Sequence, residues 1–554
     1  MRTADGADVM SGMISCRHRY QVRSVTPRSD GCEECLETAT RWVHLRVCLT
    51  CGHVGCCDSS GGRHATAHFE TTGHPLVRSG EPGETWSWCY VDRQGFETAD
   101  VAPVEVIPPA TPRLQSVRPF VDALNREFLA QGVEYFFPRA RLERVPAAGA
   151  RQPPGPTGAV EFDWLGFRYR LSADDEPLSS EQTRLLESIL RVLSVRHRTV
   201  FDAALAAQSL HLFRGLPEDR FVSAFLDPAA YADVRASTGV ADRVSQAIEV
   251  LRLSALTTYE NRRVETGVLL FGSRPDPCHV PPERPPGAVP YASALTSIRS
   301  FHRLCDGLQT LALVDRAGLL VELVDVLEWA APYADLPLGV PTIGRYRPHC
   351  RATLCGGHIC LVLTPNGEIK VFADGTQAFS FIDGRWRLTD MRKKYGAWRR
   401  AIGEERIAER LFTVALDLAD DRRGALFIVL DDATAAARLL TNGDLLTAAH
   451  RPAADGSKQR LHYLLGDHDL LHIAPAVLES VARMDGAVVF DPAGRLLAFG
   501  SILRHPGPPG AELPATEGGR TTAALGASRF GRVLMVSEDG RISFMHQGRR
   551  AWQL

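Results

Sequence analysis

The sequence predicts a multidomain α+β protein, a small metal-binding module followed by mixed α/β domains. Three observations carry that prediction. The 554 residues exceed what one hydrophobic core supports, so about two to four domains are expected. Eight of the 13 cysteines and six of the 18 histidines lie before residue 90. Beyond that point strand-length apolar runs alternate with helical patterns.

The amino-terminal cluster comes first. The stretch "CLTCGHVGCCDSSGGRHATAHFETTGHPLV", Cys48 to Val77, interleaves thiols with imidazoles. No segment approaches about 18 uncharged apolar residues, and the start, "MRTADGADVMSGM", lacks the apolar stretch of a signal peptide. A cytoplasmic chain is therefore expected. Lysine occurs only at 370, 393, 394 and 458, a bias that suggests a GC-rich bacterial source. In a reducing compartment dense Cys with His reads as zinc ligation, because thiolate and imidazole are the tetrahedral donors zinc prefers. Two Cys-x2-Cys pairs, Cys32/Cys35 and Cys48/Cys51, precede His64, His68 and His74. Redox chemistry would explain one such pair but not the histidines.

Together "GCEECL", "CLTCGHVGCCD", "RHATAHFETTGHPLV" and "WSWCYVD" resemble the ubiquitin-specific-protease-type (UBP) zinc finger over about residues 14–96. That resemblance implies a cross-braced fold with two or three structural Zn²⁺ ions. One site would use Cys32, Cys35, Cys56 and His64, and a second Cys48, Cys51, His68 and His74. A third would join Cys16, His18 and Cys89 to Asp92, which stands where the family has another Cys. His64 and His68, four apart on a helix, would tie the first two metals together. Cys57, His44 and His53 receive no role. Such sites are closed and stabilise a fold without performing hydrolysis. Relatives that capture a free Gly-Gly carboxylate use an Arg where this chain has Asp58, and a wall Trp where it has Arg46. Trp88 and Tyr90 are kept. An Asp repels a carboxylate, so classical tail capture is not expected; another peptide partner at Trp88, Tyr90 and Asp58 stays open.

"VAPVEVIPPATPRLQ" and "PAAGARQPPGPTG" (146–158) read as linkers. "EQTRLLESILRVLSVRHRTVFDAALAAQ" has helical spacing and "AVEFDWLGFRYRLS" reads as a hairpin, so residues 97–255 form a mostly helical connecting region. His197 and His211 within it read as structural or surface residues.

The carboxy-terminal half repeats. "TGVLLFG" (266–272) is echoed by "RGALFIVL" (423–430), "LALVDRAGLLVEL" (311–323) by "AVVFDPAGRLLAF" (487–499), and "ICLVLTPNGEIKVFADG" (359–375) by "RVLMVSEDGRISFMHQG" (532–548). Three matches in one order predict a duplication, residues 256–400 and 403–554.

The second copy, through "GALFIVL", "DGAVVFDPAGRLLAFGSIL" and "GGRTTAALGAS" before "VLMVSEDGRIS", resembles the diadenylate cyclase (DAC) domain, whose members join two ATP molecules into cyclic di-AMP. The resemblance implies that Asp485 of Asp485-Gly486-Ala487 holds Mg²⁺ or Mn²⁺ with the nucleotide, and that Gly519-Arg520-Thr521-Thr522 grips phosphate. Thr521 and Thr522 replace the family's His and second Arg. Losing one transition-state contact commonly costs about 10²–10³ in rate, so binding of ATP or a dinucleotide with weak or no turnover is expected. Arg504, Arg529 and Arg532 are candidate substitutes. The first copy is further degraded: Gln309 falls at the Asp485 position, Asp306-Gly307 lies three residues out of phase, and His349 and Arg351 sit where a phosphate run would.

Cys350, Cys355 and Cys360 with His349 and His358 imitate a metal site, but their spacing reads as buried thiols. "RKKYGAWRR" (392–400) is either a phosphate-binding surface or a solvated helix. The net charge of −2 gives no electrostatic reason to expect nucleic acid or an anionic membrane. No Walker loop, Gly-x-Ser-x-Gly or His-Glu-x-x-His occurs. Three functions remain: a nucleotide-binding sensor, a working cyclase that would need head-to-head homo-oligomers, and a non-enzymatic adaptor.

Overall fold

The computed structural model describes residues 16, 18, 22, 25–97, 114–146, 158–173, 177–201, 210–213, 215–232, 242–259, 262–292, 304–441, 444–446, 465, 469–504 and 518–554. Most of the two linkers and the start of the chain lie outside them, as does the side chain of His211. The chain divides into two units, residues 1–118 and 119–554.

In the first unit five short strands, β1 (Leu45–Cys48), β2 (Val54–Cys56), β3 (Leu76–Ser79), β4 (Trp86–Cys89) and β5 (Gln94–Glu97), form an antiparallel sheet in the order β2-β1-β3-β4-β5. Helices Glu33–Glu37 and His64–Thr72 flank it. A Cβ on Gly55 would lie 2.6 Å from the Ala65 nitrogen, so glycine lets the second helix settle on β2 and bring His64 beside Cys56. Gly73, at φ +71°, closes that helix by donating to the Phe69 carbonyl. The buried apolar clusters are small, Val22, Leu49 and Leu76 with Cys16 and Cys89, and Cys32, Cys35 and Cys56. Cores of that size need staples such as metal ions.

The second unit opens within helix Leu114–Phe136 and continues with a three-stranded sheet of β6 (Ala140–Val145), β7 (Val160–Trp164) and β8 (Phe167–Ala173), in the order β6-β8-β7. The hairpin is as expected; β6 is an added strand. Helices Ser180–Phe201, Pro217–Leu226 and Arg243–Ala255 follow, then a ribbon of β9 (Thr258–Tyr259) and β10 (Arg262–Arg263).

Two large sheets complete the fold. The first contains β11 (Thr266–Leu270), β12 (Thr310–Val314), β13 (Leu320–Asp325), β14 (Ile359–Leu363), β15 (Ile369–Ala373), β16 (Thr376–Ile382) and β17 (Arg385–Leu388), in the order β13-β12-β11-β14-β15-β16-β17. The second contains β18 (Ala425–Leu430), β19 (Ala487–Phe490), β20 (Leu496–Ser501), β21 (Gly531–Val536), β22 (Ile542–His546) and β23 (Arg549–Gln553), in the order β20-β19-β18-β21-β22-β23. In each, the first strand runs parallel to one neighbour (β11 with β12, β18 with β19) and antiparallel to the other (β14, β21). All three echoed sequence pairs fall on equivalent strands.

Each sheet is also preceded by an equivalent helix. Arg243–Ala255 packs on β11 and β14, and Glu405–Asp420 on β18, β21 and β22. Residues 97–255 therefore do more than connect, because Leu185, Ile189, Val222, Phe225, Val244 and Ile248 share a core with the outer face of the first sheet. The inner face of that sheet, through Leu269, Leu313 and Phe372, shares one apolar core with helix Glu405–Asp420 and with Phe427, Val488 and Leu534 of the second sheet. Charges lace the same boundary. Lys370 Nζ lies 3.0 Å from Asp420, Arg345 Nε 2.7 Å from Asp420, and Arg483 2.9 Å from Asp421, with Arg345–Asp421 and Arg422–Glu368 pairs beside them.

Candidate functional site

The finger brings three donor groups together. Cys32, Cys35, Cys56 and His64 form one, Cys48, Cys51, His68 and His74 the second, and Cys16, His18, Cys89 and Asp92 the third, each with its donor atoms within 4.8 Å of one another. Zinc bound tetrahedrally at about 2.3 Å from sulfur and about 2.0 Å from nitrogen sets edges of roughly 3.8 Å for S···S, 3.5 Å for S···N and 3.3 Å for N···N. The observed separations match. His64 Nδ1 lies 3.2, 3.3 and 3.4 Å from Cys32, Cys35 and Cys56, and Cys35 lies 3.9 Å from Cys56. In the second group Cys51 lies 3.4 Å from His68 Nε2, Cys48 3.7 Å from His74 Nδ1, and these two ring nitrogens 3.3 Å apart. In the third, His18 Nδ1 lies 3.0 Å from Asp92 and 3.5 Å from Cys89. Burial, with the neighbouring Cys35 and Cys56 thiols, pushes the Cys32 thiol up to about 12.

The donor sets fit Zn²⁺, and the third differs in carrying a carboxylate that is only partly covered. Mass spectrometry under native conditions is expected to count three zinc ions per chain, and two for Asp92→Ala.

The remaining finger residues have partners of their own. Asp58 accepts from Thr66 Oγ1 at 2.6 Å and lies 3.5 Å from Arg63 Nε, both pairs exposed. Tyr90 stacks on Phe69 with centroids 4.9 Å apart, and Arg46 lies 4.5 Å above the Trp86 ring. Trp88 is half-buried on β4, opposite Val77 of β3. Cys57 lies 3.5 Å from Ser60 Oγ and 3.9 Å from His44, outside the donor groups.

At the carboxy terminus Asp485 and Arg520 both lie at the end of the second sheet where β18 and β19 begin. β18 and β19 run parallel, and Gly424 and Asp485 both precede them at the same end of the pair. Asp485 is exposed there. Gly486 has φ +111°, and a Cβ on it would lie 2.4 Å from the Gly500 carbonyl carbon, so only glycine fits against β20. Ala487 is buried with Ala524 and Ala527 of helix Gly519–Ala527, and these small side chains let the helix approach the strand. Arg520, in the first turn of that helix, lays its guanidinium over Gly424: a Cβ there would stand 2.0 Å from Nη1. Its Nη2 lies 3.5 Å from Glu538 in the β21–β22 turn. Thr521 and Thr522 are half-buried beside it. Gly424 and Glu538 were not anticipated, because their contacts link segments about a hundred and about twenty residues away.

Two candidate substitutes for the missing cations are misplaced. Arg532 pairs with Val429 in the ladder and lies 2.7 Å from Asp431, at the far end of β18, and Arg529 lies against Gly548 at that same end. Arg504 follows the Ser501 end of β20, on the Asp485 side, and is exposed.

In the first copy the matching end is filled. Gln309 is exposed at the start of β12, and Asp306 Oδ1 caps the turn by accepting from the amides of Leu308, Gln309 and Thr310 at 2.8, 2.8 and 3.0 Å. His349, on the helix Arg347–Ala352 that precedes β14, is fully buried and bonds the Gly307 carbonyl at 2.8 Å through Nε2. Burial pushes His349 down to about 4. The folded value lies below the unfolded value of about 6.5, so its contribution is present above that pH and is lost as pH falls toward 4, about 3 kcal/mol over the interval. Denaturant midpoints at pH 7 and pH 4.5 should therefore differ less in His349→Gln than in the wild type.

The remaining sequence signals are absorbed by the fold. Cys350 lies 3.1 Å from Thr342 Oγ1, Cys360 is in the core, and His358 bonds Asp276 at 2.8 Å; among the described residues no metal-sized donor group includes them. Within 392–400, Tyr395 and Trp398 are buried, Arg392 pairs with Glu181, Arg399 pairs with Glu405, and Lys393 donates to the Pro177 carbonyl. The segment thus does not offer the interleaved cations and aromatics of a phosphate surface. No helix among the described residues is long and apolar enough to cross a membrane.

The solved structures similar to this chain include three that match parts of it. A Rhodopseudomonas palustris protein determined by solution NMR is 52% identical over 17% of this chain and 93% of its own, with a TM-score of 0.16. A hypothetical membrane spanning protein from Bacillus cereus is 23% identical over 26% of this chain and 62% of its own, with a TM-score of 0.20. A double mutant of DacA from Staphylococcus aureus is 21% identical over 27% of this chain and 89% of its own, with a TM-score of 0.17. The family described as "Zn-finger in ubiquitin-hydrolases and other protein" matches residues 32–100. With the donor groups in place, this part of the chain is a zinc-binding finger of that type.

Proposed function

We propose that the zinc finger is joined to a carboxy-terminal domain that binds ATP or a cyclic or linear dinucleotide, acting as a signalling sensor with weak or no turnover. What supports this reading is the placement of Asp485 and Arg520 at the same end of the second sheet, with Gly424 leaving room for the guanidinium. A divalent ion held with the nucleotide would supply charge neutralisation and acidify the attacking hydroxyl. Magnesium commonly takes one or two carboxylates together with substrate phosphates, and exposed Asp485 offers one. Arg520 would meet phosphate oxygens, while Thr521 and Thr522 add at most neutral hydrogen bonds.

Such a cradle favours holding over transfer. One guanidinium is a small electrostatic supply for a leaving pyrophosphate, and Glu538 already competes for it. Replacing Glu538 by Gln removes an exposed competitor worth about 0.2–1 kcal/mol and should tighten nucleotide binding up to about fivefold by calorimetry. Among the described residues, the filled strand ends of the first copy leave the second copy as the place for the nucleotide.

The test is calorimetry with ATP, cyclic di-AMP and its linear form in Mg²⁺ or Mn²⁺. Saturable binding that Asp485→Ala and Arg520→Ala weaken supports the reading; no binding of any of them overturns it in favour of an adaptor. Robust cyclic di-AMP production from ATP and Mn²⁺ would instead identify a working cyclase. At the finger, Asp58, held by Thr66 and Arg63, presents a carboxylate that would repel a tail carboxylate, so a Gly-Gly-terminated peptide should show no saturable binding.

A further inference from the structure

Two residues without an assigned role lie between the inner metal groups of the finger. Glu34 follows Cys32 in helix Glu33–Glu37. One of its oxygens lies 3.5 Å from Cys32 Sγ and 4.0 Å from His64 Nδ1, both donors of the first group. The other oxygen accepts from His53 Nε2 at 2.7 Å. His53 is buried, and its ring stacks on His68 of the second group with centroids 4.1 Å apart and planes within 8°. Its carbonyl also accepts from the Cys48 amide at 2.9 Å, so the same residue positions two donors of that group. Glu34 therefore touches only first-group donors and His53 only second-group donors, and the two touch each other.

We propose that Glu34 and His53 are positioning residues that couple the two inner zinc sites, so that emptying one loosens the other. The carboxylate fixes the His53 ring, the ring fixes the plane of His68, and that plane aims Nε2 at the metal. In the other direction, the carboxylate beside Cys32 and His64 adds negative charge next to a bound dication, and holds its place only while His53 is held. Partners of this kind commonly set metal affinity within about 10–100-fold. The helix His64–Thr72, which carries one donor of each site, provides a second tie that substitutions at 34 and 53 leave intact.

The test uses the full chain and competition with a chromophoric zinc chelator, with cobalt substitution to tell the three-thiolate site from the two-thiolate site by its absorption. His74→Ala, which breaks the second site, should weaken the first at least tenfold in the wild-type background. In a His53→Ala background the same change should weaken it less than threefold. His53→Phe keeps a ring against His68 but loses the bond to Glu34, and it should uncouple the sites while still loading both. Glu34→Gln, which retains an acceptor for His53, should preserve most of the coupling that Glu34→Ala removes. Equal coupling in wild-type and His53→Phe proteins, or independent loss of the two ions from the wild type, would overturn the proposal.

Discussion

Stripping zinc with a strong chelator at neutral pH is expected to unfold residues 25–97 while both large sheets persist. The argument is one of scale. The apolar clusters of the finger contain few side chains beyond its own cysteines, and burying one aliphatic side chain contributes about 1.5–3 kcal/mol. A structural zinc ion contributes about 10–16 kcal/mol of apparent binding energy in small fingers, and none of it survives removal of the metal. The strands β11–β23 rest instead on apolar cores that include none of the three donor groups. Hydrogen exchange read by mass spectrometry separates the two outcomes. Protection should vanish from Leu45–Cys48 and Leu76–Ser79 and persist in Ala425–Leu430. Retained protection in the finger after complete metal loss would show that its core suffices.

Gly424→Ala should reduce nucleotide affinity about 10–100-fold, as much as Arg520→Ala. The new methyl would occupy space 2.0 Å from Nη1 and 2.6 Å from Cζ of Arg520, so the guanidinium has to leave. A charge-assisted contact to phosphate is worth about 1.5–3 kcal/mol, which sets the factor. Gly424 is not among the positive-φ glycines, so its backbone accepts alanine and the melting temperature should move little. Calorimetry on the two single variants and on the double variant gives the check. If both report on one contact, the double loss equals either single loss; a fully additive loss would separate the two residues.

What the sequence disclosed follows from the range of the interactions. The finger's donors were legible because Cys-x2-Cys and the His64–His68 spacing are set by a few neighbouring residues and by a chemistry with few alternatives. The strands of the large sheets were legible because β14 and β18 are buried on both faces and read as unbroken apolar runs, and β11 and β21 each hold an apolar run of three or four residues. By contrast β6, "ARLERV", has no fully buried residue and carries no strand signal apart from its pairing with β8. Gly424 and Glu538 escaped notice because the guanidinium that joins them arrives from another segment. Arg529 and Arg532 are near Arg520 in sequence, but the helix Gly519–Ala527 carries the chain to the opposite end of the sheet before β21 begins. Asp306 illustrates a related difficulty: the dipeptide Asp-Gly looks the same whether the carboxylate faces solvent or accepts three amides.

The apolar layer shared by the two large sheets makes the chain its own dimer. Each sheet uses the other as the cover for one face, and the Lys370–Asp420–Arg345 cluster is satisfied only when both are present. Because a peptide bond joins the halves, their pairing is a first-order event, and dilution should leave it untouched. A fragment cut at the start of the second half would expose that layer to water and should aggregate or seek another copy of itself.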